Sequence, residues 1–257
     1  MAQAMTMHIL SGGKLRLRKS LYYPEAGRDE HLDVPVISVL LRHSQSNILF
    51  DTGCHPSVET EAEKRWGGLA RFMPPIAEPG DNLVAHLAET GLRPEDIDLV
   101  ICSHLHPDHC GCNEYFTRAT VLCHRAELAA ARADPKGQQG YLSVDWDVGL
   151  PFDEVDGERD LFGDERIVLI PVPGHTPGSL AALVELDRSG QFLLASDAVP
   201  VLDVLQTGTI PRNTWNGERA AASYAVIRDL QKRGAQVVCG HDMAQWRRLK
   251  KGLDFYA

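Results

Sequence analysis

The stretch Ser103-His104-Leu105-His106-Pro107-Asp108-His109 constrains this chain more than any other. Four metal-capable side chains fall within six residues, directly after Leu99-Val100-Ile101-Cys102, an apolar run of strand type. Imidazoles this close repel one another if protonated and lack partners if buried neutral, so a bound cation is the economical explanation. Neighbouring Asp108 and His109 must point away from the pair His104 and His106, so the four cannot all close on one ion. Two metal sites are implied, each needing ligands from further along the chain.

The sequence supplies them in order. Pro171-Val172-Pro173-Gly174-His175-Thr176-Pro177-Gly178 sets a histidine in a turn fixed by Pro and Gly. The apolar run Phe192 to Ser196 ends in Asp197, and Val237-Val238-Cys239 leads into Gly240-His241-Asp242. Each is a strand followed at once by a ligand, which aligns all of them along one edge of a sheet system. His175 alone is an ordinary turn histidine; after the first cluster, the series reads as a metal donor set.

With Asp51-Thr52-Gly53, these pieces make the chain resemble the metallo-β-lactamase superfamily over nearly its whole length. The resemblance implies an α/β fold: an αβ/βα sandwich of two facing mixed sheets with helices on the outer faces, as one domain over residues 1–257. It also implies that His104, His106 and His175 hold one metal, that Asp108, His109 and His241 hold a second, and that Asp197 bridges them. Asp108 and Asp197 are the residues it assigns to catalysis. Within the superfamily the chain is most similar to the N-acyl-homoserine lactonase and 4-pyridoxolactonase group. Leu10-Ser11-Gly12-Gly13, the Pro35 strand, Asp108-His109-Cys110-Gly111, Cys123-His124-Arg125 and His241-Asp242-Met243 carry that closer likeness.

The chemistry follows from the implied set. Two divalent ions about 3.5–4 Å apart share a hydroxide, lower the pKa of bound water towards 7 and polarise a carbonyl. Such a centre hydrolyses esters, lactones, thioesters or amides; the resemblance implies a lactone, most simply an N-acyl-homoserine lactone, as in quorum quenching. The alternatives are a 4-pyridoxolactonase-like enzyme, a glyoxalase II-like thioesterase and a non-catalytic metal-binding protein. Zn suits the His-rich donors, while Fe, Mn and Co are compatible by ligand type. Two positions depart from the lactonase pattern: Pro200 stands where those enzymes carry a Tyr three residues after the bridging Asp, and Ser179 where they carry a His. Pro200 donates no hydrogen bond, so an oxyanion partner must come from elsewhere or from the metal alone, with Tyr22, Tyr23 and Tyr141 as unranked candidates.

Composition narrows the partners. A net charge of −9 speaks against nucleic acid, whose phosphates are held by clustered Lys and Arg. Nothing approaches an apolar membrane span, and the first seven residues lack the basic flank and apolar core of a signal peptide, so a cytoplasmic enzyme acting on a small-molecule lactone is expected. Cys110 and Cys112 flank the metal loop but are not needed to fill either site. The basic run Arg247 to Lys251 reads as a solvated terminal helix face.

Along the chain, Met7 to Leu10 and Lys14 to Leu17 read as a hairpin around Gly12-Gly13. Val34 to Leu41 and Asn47 to Phe50 pair and deliver Asp51, a carboxylate expected to orient a metal-bound group. Residues 55–79 read as a loop with bulky apolar side chains, Trp66, Leu69, Phe72 and Met73 among them, either lining a substrate pocket and a subunit contact of a homodimer or lying as a flap on the core. Helices are expected over Asp81 to Thr90, Arg125 to Ala133 and Glu218 to Arg233, the last with Ala221, Ala225, Ile227 and Leu230 inward.

Overall fold

The computed structural model describes residues 5–257; the part of the signal-peptide reading that concerns residues 1–4 lies outside them. Strands β1 (Thr6–Arg18), β2 (His31–His43), β3 (Ser46–Phe50), β4 (Leu99–Ile101), β5 (Thr120–His124) and β6 (Phe152–Val155) form a six-stranded sheet in that order. β1 to β3 pair antiparallel, and β3 to β6 pair parallel. A five-stranded sheet follows from β7 (Arg159–Asp160), β8 (Ile167–Pro171), β9 (Leu180–Leu186), β10 (Gly190–Ser196) and β11 (Gln236–Cys239), ordered β11-β10-β9-β8-β7. The helices are α1 (Val58–Trp66), α2 (Leu83–Glu89), α3 (Pro107–Cys110), α4 (Arg125–Ala133), α5 (Ser143–Trp146), α6 (Leu202–Thr207), α7 (Gly217–Lys232) and α8 (Met243–Trp246).

Strand periodicity sorts the side chains into layers. Met7, Ile9, Val39 and Ile101 on the inner face of the first sheet pack on Leu169, Ala182, Phe192 and Leu194 of the second. The alternate residues Leu10, Leu40, Val100 and Val121 turn outward onto Leu87 of α2 and Leu128 of α4. On the far side, Ala181, Leu193 and Val237 meet Tyr224 and Ile227 of α7. The result is helix, sheet, sheet, helix, the expected sandwich. Among the described residues no helix is long and apolar enough to cross a membrane.

Four local readings are corrected. Gly12-Gly13 is not a hairpin turn: β1 runs through it, with a register shift between Ser11 and Lys14. These glycines serve close approach instead, since a Cβ on Gly12 would lie 2.7 Å from the Gly53 Cα, and Gly12 O accepts from Cys54 N at 2.8 Å. In α7 the buried stripe is Ala220, Ser223, Tyr224, Ile227 and Leu230, so Ile227 and Leu230 face inward as expected while Ala221 and Ala225 are exposed. The bulk of Tyr224 sets the helix rotation. Residues 55–79 contain α1 and a 3-10 turn, Gly67–Arg71, and Trp66 is buried at 2% exposure in the core. α8 ends at Trp246, so Arg247 to Lys251 is not a helix face.

Candidate metal centre

The strand ends deliver the site. β4 runs into Ser103 and α3, β8 into the His175 turn, β10 into Asp197 and β11 into His241. β3 leads directly into Asp51, which holds φ 59, and β10 ends at Ser196, with φ 46. Left-handed backbone at non-glycine residues costs about 1–3 kcal/mol, and these two positions hold it where their side chains meet. Asp51 Oδ2 accepts from Ser103 Oγ at 2.8 Å, Ser196 Oγ at 2.9 Å and His109 Nδ1 at 2.8 Å, while its Oδ1 takes Ser103 N at 2.7 Å. The expected orienting role of Asp51 therefore falls on His109.

All seven residues singled out in the sequence converge. His104 Nε2 and His175 Nε2 each lie 3.1 Å from His106 Nδ1. On the other side, Asp108 Oδ2 lies 3.5 Å from His109 Nε2 and 3.6 Å from His241 Nε2. Asp197 stands between the groups, with Oδ2 3.5 Å from His175 Nε2 and Oδ1 3.0 Å from His241 Nε2. Donor atoms of His104, His106 and His175 fall within 4.8 Å of one another, as do those of Asp108, His109 and His241, and a third grouping joins His104, His109 and Asp197.

Hydrogen bonds on the far side of the rings decide which nitrogens can bind a cation. His106 Nε2 donates to Gln139 O at 3.1 Å, His241 Nδ1 to Pro35 O at 2.8 Å, and His109 Nδ1 to Asp51. Because these oxygens only accept, the neutral rings present lone pairs at His106 Nδ1, His241 Nε2 and His109 Nε2, all aimed inward. His109 Nε2 and Asp197 Oδ1 are buried and have no hydrogen-bond partner among the described residues, though they lie 3.4 Å apart. Orphaned acceptors facing one another are costly unless a cation sits between them. A Zn–N bond of about 2.0 Å in tetrahedral geometry sets ligand nitrogens about 3.3 Å apart, close to the spacing seen around His106. The residues present fit a pair of divalent ions.

The electrostatics separate the two groups of histidines. Burial and the neighbouring imidazoles push His104 well down, and burial takes His175 down to about 3, so both remain in the neutral form a metal requires. Burial alone would raise Asp197 and Asp108, but charge on His241 and His109 holds Asp197 well below the usual carboxylate range, and charge on His109 lowers Asp108. For His109 and His241 burial acts downward, but the carboxylates around them outweigh it and raise both, so a cation binding at these two rings displaces a proton and leaves the lone pairs facing it.

Other polar residues near the site do different work. Asp242 caps α8 through Gln245 N at 2.8 Å and takes Leu202 N at 3.0 Å. His55 pairs with Glu114 at 2.9 Å, and Cys110 and Cys112 are buried free thiols in the core behind the loop. Glu127 was not legible in the sequence. Fully buried at the start of α4, it accepts from Leu105 N and from Gly178 N, both at 3.0 Å, stapling the first histidine loop to the His175 turn. The only signal for it was an acid in the first turn of an expected helix, which ordinarily reads as a helix-dipole partner.

The sequence profile described as "Metallo-beta-lactamase superfamily" matches residues 32–241. The chain belongs to the metallo-β-lactamase superfamily. Among curated superfamily relatives, the N-acyl homoserine lactonase AttM of Azorhizobium caulinodans is 31% identical over 257 residues, spanning 97% of this chain and 98% of that one. AttM of Agrobacterium fabrum is 30% identical over 258 residues, spanning 98% of each. A solved N-acyl homoserine lactone hydrolase, holding the product N-hexanoyl-L-homoserine at its catalytic metal centre, superposes with a TM-score of 0.88 over 98% of this chain and 99% of that one. At 24% identity it speaks for the fold alone.

In this superfamily member the His/Asp cluster floors a cavity of about 880 Å³. Leu69, Phe72, Met73 and Trp215 line it, with Phe72 71% and Trp215 50% exposed. Trp66 is absent from the lining, so of the bulky residues expected near a substrate it alone belongs to the core. Trp215 was missed because a lone Trp between Thr214 and Asn216 carries no pattern. Its position is fixed by Trp215 N donating to His175 O at 3.0 Å.

Proposed function

We propose that this chain, acting as one domain, is a dinuclear-metal lactonase that opens N-acyl homoserine lactones. The observation that carries the reading is a seven-donor His/Asp site at the floor of a cavity that offers an apolar wall of Leu69, Phe72, Met73 and Trp215 beside polar residues such as Gln138 and Asn213. Its near full-length similarity to the AttM lactonases supports the same substrate class. His104, His106 and His175 would hold one ion and Asp108, His109 and His241 the other, with Asp197 a donor between the two groups; Zn suits these donors best. When bound, the ions supply a water of lowered pKa and polarise the ring carbonyl. The chain does the rest. Asp51, Pro35 O and Gln139 O fix the imidazoles, and the Asp108 carboxylate, lining the cavity, takes the proton of the attacking water and passes it to the ring oxygen as it leaves. The new acyl C–O bond forms, the ring C–O bond breaks, and the product is a hydroxy acid. Leu69, Phe72 and Met73 shield the acyl tail from water.

Protein purified without chelator is expected to contain two divalent ions per chain by elemental analysis. Their removal should lower the melting temperature, because the site then holds opposed lone pairs with nothing between them. Full activity at a saturated stoichiometry of one would remove the dinuclear reading.

Turnover of homoserine lactones is the direct assay of the substrate. Phe72→Ala is expected to raise KM for a decanoyl lactone several-fold more than for a butanoyl one, since each buried methylene is worth about 0.8 kcal/mol. Equal effects on both would detach Phe72 from the tail. If the enzyme opens no homoserine lactone yet turns over a pyridine-ring lactone or a thioester briskly, the assignment moves to that substrate.

A further inference from the structure

A hydrolytic site of this kind needs a donor for the oxygen on which charge develops, and the strand end nearest to hand cannot supply one. Pro200 has no N–H, and its carbonyl is already engaged, accepting from His241 N at 2.8 Å. Three tyrosines lie close enough in the sequence or fold to be considered, and their hydroxyls separate them. The Tyr23 hydroxyl donates to Asp203 at 3.0 Å, and Tyr23 does not line the cavity. Tyr141 lines it with its ring, 5.4 Å from the His106 ring, but its hydroxyl is sealed from solvent.

Tyr22 differs from Tyr23 in making no hydrogen bond, and from Tyr141, whose hydroxyl is also unpartnered, in that its hydroxyl is not sealed. It lines the cavity with Asp108, His175, Asp197 and His241, is only 1% exposed, and its hydroxyl takes part in no hydrogen bond among the described residues. The charges of Asp197 and Asp108 reach its phenol. Its ring is clamped in the core with Leu17, Val36 and Tyr224. The segment is pinned from behind, where Arg212 N donates to Leu21 O at 2.9 Å and the Arg212 guanidinium to Pro24 O at 3.0 Å. An unpartnered phenol held rigidly against a reaction centre is a preorganised donor, because no reorganisation is needed when negative charge appears.

We infer that Tyr22 is a catalytic hydrogen-bond donor, its intact O–H directed at the substrate oxygen that gains negative charge as water adds. The assignment rests on the lactonase reading for the identity of that oxygen. No proton is transferred; the O–H bond persists and only the hydrogen bond strengthens.

Tyr22→Phe removes the hydroxyl and leaves the packing. With the metal-loaded full chain, kcat for N-hexanoyl homoserine lactone is expected to fall about 100-fold, within the range for loss of one such donor, with KM changed little. Metal content and melting temperature should match the wild type, which a purely structural tyrosine would not predict alongside lost kcat. Tyr23→Phe serves as the control, with turnover unchanged. The same variants are assayed on p-nitrophenyl acetate, a simple ester that does not depend on the lactone reading. A wild type inert on lactones but active on this ester, with Tyr22→Phe still slowed, would sink the lactonase proposal and leave Tyr22 in place. Equal kcat for wild type and Tyr22→Phe on the substrate that is turned over would overturn the inference, and so would a wild type inert on both.

Discussion

Asp108→Asn is expected to lower kcat/KM for homoserine lactones by about three orders of magnitude, because metal-borne charge stabilisation is worth several kcal/mol and each tenfold corresponds to about 1.4 kcal/mol. The substitution keeps the size of the side chain but removes the negative charge that faces His109 Nε2 at 3.5 Å and His241 Nε2 at 3.6 Å. Asp108 lies in the four-residue helix α3 and lines the cavity, so the fold should survive. Elemental analysis should show occupancy falling from two ions towards one, with the far-UV circular dichroism unchanged. His109→Ala is expected to act in the same direction and to leave Asp51 with only its serine and backbone donors. Wild-type kcat/KM for Asp108→Asn under limiting metal would remove the second ion from the mechanism.

Gly178→Ala is the second large effect, and it falls on stability first. A Cβ at Gly178 would overlap Glu127 N and lie 2.8 Å from Glu127 Cα, against backbone that cannot swing aside. Relieving that overlap means pushing the His175 turn off the start of α4, which breaks the hydrogen bond from Gly178 N to Glu127. Overpacking of this kind costs about 3 kcal/mol, and for a chain of this size each kcal/mol lowers the melting temperature by about 2–4 °C. A fall of roughly 6–12 °C is therefore expected, with metal affinity reduced because His175 moves with its turn. Glu127→Gln isolates the second part. Its amide can accept only one of the two N–H groups and sets its own N–H against the other, so metal affinity should drop about 10- to 100-fold without the steric clash. A Gly178→Ala melting temperature within 2 °C of wild type would show that the two segments do not meet as closely as described.

The donor residues themselves were readable in the chain. His104, His106, Asp108, His109, His175, Asp197 and His241 all stand at ends of apolar runs, and strand periodicity is a local property that survives in sequence. The same locality made β2 to β5 and α4 legible, while the sandwich architecture came from the resemblance to the superfamily. Where a local signal had two physical meanings, sequence chose wrongly: Gly12-Gly13 can turn a hairpin or let two backbones touch, and Gly53 in the loop after β3 decided for the second. Trp66 and Phe72 look alike in sequence, and only the packing of α1 on the core buries one and exposes the other. Which ring nitrogen of each histidine faces the cation was set by Asp51, Pro35 O and Gln139 O, each far from its histidine in the chain. Glu127 and Tyr22 belong to the same class. A buried carboxyl is explained only by the two N–H groups it holds, and an unpartnered phenol is significant only because it lines the same cavity as the carboxylates of the site. Sequence determined which atoms could take part, because chemical identity and strand alternation are local; tertiary structure decided their directions and partners, because those arise from contacts between segments tens to hundreds of residues apart.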